Sequence, residues 1–215
     1  MKPVRILASL LVVAMMAIPT ELLAYSYASP TSDPMITERE GYLDGVNKGN
    51  WQAVETAYDA FSKEIAVLER GEHSFKGDSG LAAAFTDAIG NKDAAAARAA
   101  LQRAYVDQII RRLAAANREL KTSGSDNDEA KSLLAFAQAF YTAMAGDLPA
   151  DEQKAISAAF SDALDAIGRP GVLGYFSVAP DPAAMKKATD AIAAALKPSA
   201  GAGAGSGSGS GNAAN

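Results

Sequence analysis

Glu38, Glu40 and Asp44 form a group of carboxylates, and Glu40 and Asp44 are four residues apart. On a helix that spacing puts both on one face. Two like charges so placed repel each other, and a hard cation with oxygen ligands relieves the repulsion. The bland alternative is that acids in a first helical turn complement the helix dipole. His73 is the one histidine of the chain and stands in Glu69-Arg70-Gly71-Glu72-His73. An imidazole beside carboxylates can contribute to a metal site of mixed nitrogen and oxygen ligands. Glu40, Asp44, Glu72 and His73 are therefore the candidate metal ligands, and iron or another hard divalent or trivalent cation is the candidate ion. The spacing around His73 is neither His-Glu-x-x-His nor the Glu-x-x-His pair of di-iron bundles. A lone histidine in a polar loop is usually just a solvated side chain.

Other constellations point away from catalysis. Ser74 or Ser79 with His73 lacks the strand–turn–helix context of a nucleophile elbow. The chain has no cysteine, which excludes thiol chemistry, iron–sulfur clusters and covalent c-type haem. Asp126-Asn127-Asp128-Glu129 opens like a calcium loop, but no glycine follows at the sixth position and Ala137 stands at the twelfth. That run reads instead as a helix N-cap. Tyr42, Tyr58, Tyr105, Tyr141 and Trp51 could line a pocket, though aromatics at helical spacing belong first to a core. No catalytic or organic-cofactor residues are assigned, and an enzyme is not the expectation.

The elements that would position these residues are helices. Asp93 to Leu120 is the longest helical run: Asp93 is a good N-cap, and Leu101, Tyr105, Ile109, Leu113, Ala116 and Leu120 recur at spacings of three or four. Arg98, Arg103, Arg111, Arg112 and Arg118 flank this stripe as a solvated face, with Asp107 placed to pair with Arg103 and Arg111 on the helix surface. A first short helix is expected from Thr37, where Thr37 and Glu40 fit a capping box. Further helices are expected over Trp51–Arg70, Ser79–Ile89, Asp128–Ala145 and Ala150–Ile167, and from an Asp181 cap onward. Gly171–Pro180 reads as a buried, glycine-broken loop. Period-two alternation is missing. The fold expected is all-α, an antiparallel bundle of six or seven helices.

The ends read differently. Lys2 and Arg5 precede an apolar run over Ile6–Ile18, followed by Pro19 and a small-x-small site at Ser26-Tyr27-Ala28. This is the pattern of a secretory signal over residues 1–28, and the run is short for a membrane span. Residues 29–197 form the helical-bundle domain. Residues 198–215, rich in Gly and Ser, are expected to be a flexible tail that could serve as a tether. The formal net charge is −5, and removing the leader makes the remainder one unit more acidic. An acidic exported domain argues against a nucleic-acid partner. With the leader cleaved, no membrane span is expected.

The run Leu81-Ala82-Ala83-Ala84-Phe85-Thr86-Asp87-Ala88-Ile89-Gly90-Asn91-Lys92-Asp93, with the Ala-rich helix after it, resembles the extracytoplasmic helical domains linked to high-affinity iron permeases. Arg39-Glu40-Gly41 is similar to the Arg-Glu-Gly-x-Glu iron motif of the permeases, but Leu43 replaces the second glutamate. Only Glu40 carries over. The histidine signature of imelysin-like proteins does not occur. The resemblance implies a periplasmic or extracellular binding or accessory protein serving metal uptake, iron in particular. The other reading is a structural or protein-interaction component of the cell envelope, with an envelope protein as partner and the tail as tether.

Overall fold

The computed structural model describes residues 33–71, 77–120, 127–169 and 177–201, with side chains as far as residue 197. These residues form α1 (Pro34–Lys48), α2 (Trp51–Arg70), α3 (Leu81–Gly90), α4 (Ala94–Glu119), α5 (Asp128–Met144), α6 (Ala150–Ile167) and α7 (Pro182–Gly201). A 3-10 turn at Ala145–Asp147 follows α5. The expected all-α helical bundle is the fold. α4 packs on α5, α3 and α7 and also touches α1 and α2, while α1 pairs with α2 and α6 with α7.

Local chemistry sets the helix starts. Asp93 Oδ1 accepts the backbone N–H groups of Ala95 and Ala96 at 2.9 and 3.0 Å, the N-cap arrangement expected for α4. Asn50 caps α2 through Ala53, and Asp181 caps α7 through Ala183 and Ala184. The start of α1 corrects the sequence reading. Asp33, not Thr37, is the cap: its Oδ1 accepts the Met35 N–H at 3.0 Å, and Pro34 opens the helix. Proline suits a first helical position because its fixed φ is already helical and its missing N–H is not needed there. Thr37 lies within the first turn and donates to the Pro34 carbonyl, so there is no capping box with Glu40.

Turns are closed where the backbone leaves the right-handed region. Gly49 has φ 67°, and this lets the Gly49 and Asn50 N–H groups bond back to the Val46 and Gly45 carbonyls. Between α6 and α7 Arg169 and Val178 exchange two backbone hydrogen bonds, at 3.1 and 3.0 Å. Gly168, with φ 81°, permits that bridge, since a Cβ there would meet the Val178 carbonyl oxygen at 2.4 Å. Most of the loop expected to be buried, residues 171–176 of it, lies outside the described residues. Val178 itself is 53% exposed. α7 runs on past Lys197 to Gly201, so the helix includes the first residues of the Gly/Ser-rich end.

The core has aromatic centres. Tyr42 of α1, Tyr58 and Phe61 of α2, and Phe85 of α3 form one group with ring centroids 5.0–6.0 Å apart. Tyr105 meets Phe140 edge-on at 5.3 Å, joining α4 to α5, and Tyr141 stacks on Phe160 at 5.5 Å, joining α5 to α6. Three of the four tyrosines singled out in the sequence are thus core residues with their hydroxyls bonded, Tyr42 to the Ala97 carbonyl, Tyr105 to the Met35 carbonyl and Tyr141 to the Gln153 carbonyl, while Tyr58 is half-buried against the core. Burial pushes the phenols of Tyr42 and Tyr105 well above their ordinary range. Among the described residues no helix is long and apolar enough to cross a membrane.

The α1–α2 hairpin yields a paired prediction. A Cβ on Gly45 would stand 2.9 Å from Val54 Cγ2 and 3.2 Å from the Asn50 carbonyl oxygen, whereas one on Gly41 meets nothing within 4 Å. Gly45→Ala should destabilise the protein by about 1–3 kcal/mol through overpacking. Gly41→Ala should stabilise it by about 0.5–1 kcal/mol because glycine is costly in a helix interior. Urea denaturation of the two variants should therefore move the midpoint in opposite directions.

Candidate functional site

Glu40 and Asp44 both lie on the exposed side of α1. Lys48, one further turn along, donates to Asp44 Oδ2 at 2.8 Å and answers the repulsion that suggested a cation there. Glu72 and His73 lie outside the described residues. Among the described residues no group of three or more acids or imidazoles is placed to hold a metal ion. Asp128, part of the rejected calcium-like run, is a first-turn acid of α5 beside Lys131.

The arginines of α4 do more than form a solvated face. Arg112 lies against α5, its guanidinium carbon 4.6 Å from the Phe136 ring centre and 5.4 Å from that of Phe140. Its Nη2 reaches Asp33 Oδ2 at 3.3 Å, and both side chains are largely buried. Burial draws the guanidinium below its ordinary range, and Asp33 opposes that shift. Gln108, fully buried, fills the turn between Arg112 and Tyr105 and donates to the Met35 sulfur at 3.6 Å. Gln108 Oε1 and Arg112 Nε are buried without a hydrogen-bond partner. Tyr105, Gln108 and Arg112 thus make a polar seam where α4 meets α1 and α5.

Arg103 also departs from the surface-pair expectation. It forms a two-pronged ion pair with Asp78, just ahead of α3, instead of pairing along the helix with Asp107. Asp107 lies close enough to Asp78 for the two carboxylates to interact. Sequence spacing offered Asp107 two partners on its own helix, but packing offered Arg103 a better one on another.

A cleft of about 410 Å³ opens between α1, α4 and the 3-10 turn. Arg39 and Asn47 line it from α1, Arg98, Gln102 and Tyr105 from α4, and Asp147 from the turn. Its apolar floor is Leu43, Leu101 and Met144. Arg39 is ion-paired to Asp147 and lies over the Tyr105 ring, 5.8 Å from its centre. Arg98 is oriented by neutral partners: Nη2 donates to Asn47 Oδ1 at 2.6 Å and Nη1 to the Ala94 carbonyl at 3.3 Å. A guanidinium carries five N–H donors in a planar fork that matches a carboxylate or phosphate. The cleft therefore combines two held guanidinium groups, one carboxylate and an apolar floor, within the size range of small-molecule sites. Sequence reading passed over Arg39, which stands beside Glu40 in the motif examined for iron, because Asp147 and Arg98 approach it only through the fold.

A second groove of about 440 Å³ lies between α4 and α7, around Ile110, Leu113, Asn117, Lys186 and Thr189. The Asn117 amide donates to Thr189 Oγ1 at 2.8 Å across it. Among the described residues Val178 is the large apolar side chain left mostly exposed. The chain matches no protein-family model, no curated protein and no solved structure.

Asp33 has two tasks, and substitutions separate them. Asp33→Asn keeps a capping oxygen on α1 but replaces the ion pair with Arg112 by a neutral contact. Asp33→Ala loses both and should cost about 1 kcal/mol more than Asn, the usual worth of a cap. With Arg112 left buried without its counter-charge, the alanine variant should lose about 3 kcal/mol in all, read from chemical denaturation.

Proposed function

We propose that this chain is a non-catalytic binding or accessory protein of the cell envelope, exported to the periplasm or cell exterior, whose helical bundle holds a small oxyanionic ligand in the α1–α4 cleft. The observation that supports it is the convergence of Arg39 and Arg98 over an apolar floor. Arg39 is neutralised by Asp147, and Arg98 has only neutral hydrogen-bond partners, so the cleft keeps a net positive charge on an otherwise acidic chain. Such a cleft suits a carboxylate or phosphate compound with a short apolar portion.

Metal uptake, iron in particular, is the process this reading serves. Ferric iron is kept in solution by carboxylate-type chelators, and the resulting complexes are anions that paired guanidinium groups can hold. Direct ligation by Glu40 and Asp44, joined by Glu72 and His73, is the other route to the same role. It would compete with Lys48 for Asp44.

Titration calorimetry and thermal melts on the full chain distinguish the two routes. Citrate or ferric citrate should bind and raise the melting temperature by mass action. Arg98→Gln should weaken that binding at least tenfold, while Lys186→Gln, on the α4–α7 groove, should leave it unchanged. A melting shift with bare iron or calcium that disappears in the Glu40→Ala, Asp44→Ala double variant would instead assign binding to the acids of α1. If none of these ligands binds or shifts the melt, the binding-protein reading falls, and the structural or interaction role with a C-terminal tether takes its place.

A further inference from the structure

α3 begins without a capping side chain of its own, because Gly80 occupies its N-cap position. The cap is supplied from α2: Glu69 Oε1 accepts the N–H groups of Gly80 and Ala82, both at 3.0 Å. Asp78 ties the same junction to its neighbours by its backbone, donating to the Leu68 carbonyl and accepting from Leu81, both at 3.3 Å. Its side chain is committed to Arg103 of α4. Asp107, one turn further along α4, lies within interaction reach of the same Asp78, and its Oδ2 is buried with no hydrogen-bond partner among the described residues.

Among the described residues the charges do not balance. Asp78 and Asp107 meet in a half-buried place, and Glu69 adds a third carboxylate that acts on Arg103 from α2. Arg103 is the guanidinium set among them, with Arg111 a turn below Asp107 on α4. Two carboxylates in hydrogen-bonding reach of each other cannot both stay ionised cheaply unless cations neutralise both. Both prongs of Arg103 are on Asp78. A proton on Asp107 turns repulsion into a carboxyl–carboxylate hydrogen bond and leaves the Asp78–Arg103 pair intact.

We propose that Asp78 and Asp107 share one proton, and that this shared proton is a latch between α4 and the start of α3, closed in acid and released as the surroundings pass neutrality. Burial, the hydrogen bond with Asp78 and the Asp78 charge together push the Asp107 carboxyl up to about 7, with Arg103 opposing. The sign follows from linkage. The folded chain binds a proton between the ordinary carboxyl value and about 7 that the unfolded chain does not. The stabilisation is complete below the unfolded value and is lost as pH rises through the folded one. An exported protein is exposed to the pH of its surroundings, so the latch would couple the junction of α2, α3 and α4 to that pH. It is independent of the α1–α4 cleft.

The test uses the full chain between pH 4.5 and 8.5 (about the span over which such a carboxyl changes state). Carbon-13 NMR of labelled aspartate should show Asp107 titrating near neutrality. The wild-type melting temperature should fall by about 3–5 °C from pH 5 to pH 8 beyond the change seen in Asp107→Asn. That variant carries a permanent hydrogen-bond donor and should be at least as stable as wild type at pH 8. Amide exchange at Gly80 and Ala82, corrected for intrinsic rate, should accelerate at least tenfold at high pH in wild type and not in Asp107→Asn. His73→Gln should leave the pH dependence unchanged. An ordinary carboxyl midpoint for Asp107, a slope that survives Asp107→Asn, or one that disappears in His73→Gln overturns the proposal. If Asp107→Asn does not fold, the wild-type NMR titration alone decides.

Discussion

The constraint on which the rest depends is the burial of α4 on several sides at once. A helix enclosed by α1, α2, α3, α5 and α7 can leave few polar groups without partners. Tyr105, Gln108 and Arg112 lie along its inner row, and α1 has to arrive in one register to serve them. The Met35 carbonyl takes the Tyr105 hydroxyl at 2.6 Å, the Met35 sulfur takes the Gln108 amide, and Asp33 takes Arg112. One aspartate thereby starts α1 and neutralises the deepest guanidinium of α4. The seam is directional where an apolar interface would tolerate sliding, so it sets the position of α1 along α4.

That position creates the cleft. Once Met35 is fixed against Tyr105 and Gln108, Arg39 comes one turn later over the outer face of the Tyr105 ring, and Asn47 reaches Arg98 near the start of α4. The same tyrosine thus has its hydroxyl in the buried seam and its ring under a guanidinium at the cleft. Stability comes without disulfides, from the aromatic group around Phe61 and from small residues such as Ala97, Ala100 and Ala104 that let neighbouring helices approach α4 closely. A domain of this length can bury a core large enough to fold on packing alone.

The two polar features on either side of α4 differ in character. At the cleft, positive charge is in excess and open to solvent. At the α3 junction, negative charge is in excess among the described residues and partly enclosed. Both arise because packing brings a charge from a distant part of the chain to α4: Asp147 reaches Arg39 at the cleft, and Asp78 takes Arg103 in preference to Asp107 on its own helix.

The sequence by itself determined the helices. Spacings of three and four marked the helices over Trp51–Arg70 and Ala150–Ile167, and Asp93 and Asp181 announced their caps, because periodicity and capping are local properties of the chain. It misplaced the start of α1, since Asp33-Pro34 and Thr37–Glu40 both satisfy local rules and only the docking of Asp33 on Arg112 chooses between them. It also read Asp107 as a surface pairing partner and Arg112 as solvated. Helical spacing states which residues share a face, but it does not state what covers that face. Which arginine meets Asp78, which aspartate meets Arg112, and whether Arg39 and Arg98 share a cleft are all settled between residues tens of positions apart. Only the tertiary structure brings those together, because electrostatic partners are chosen by proximity in space and by burial.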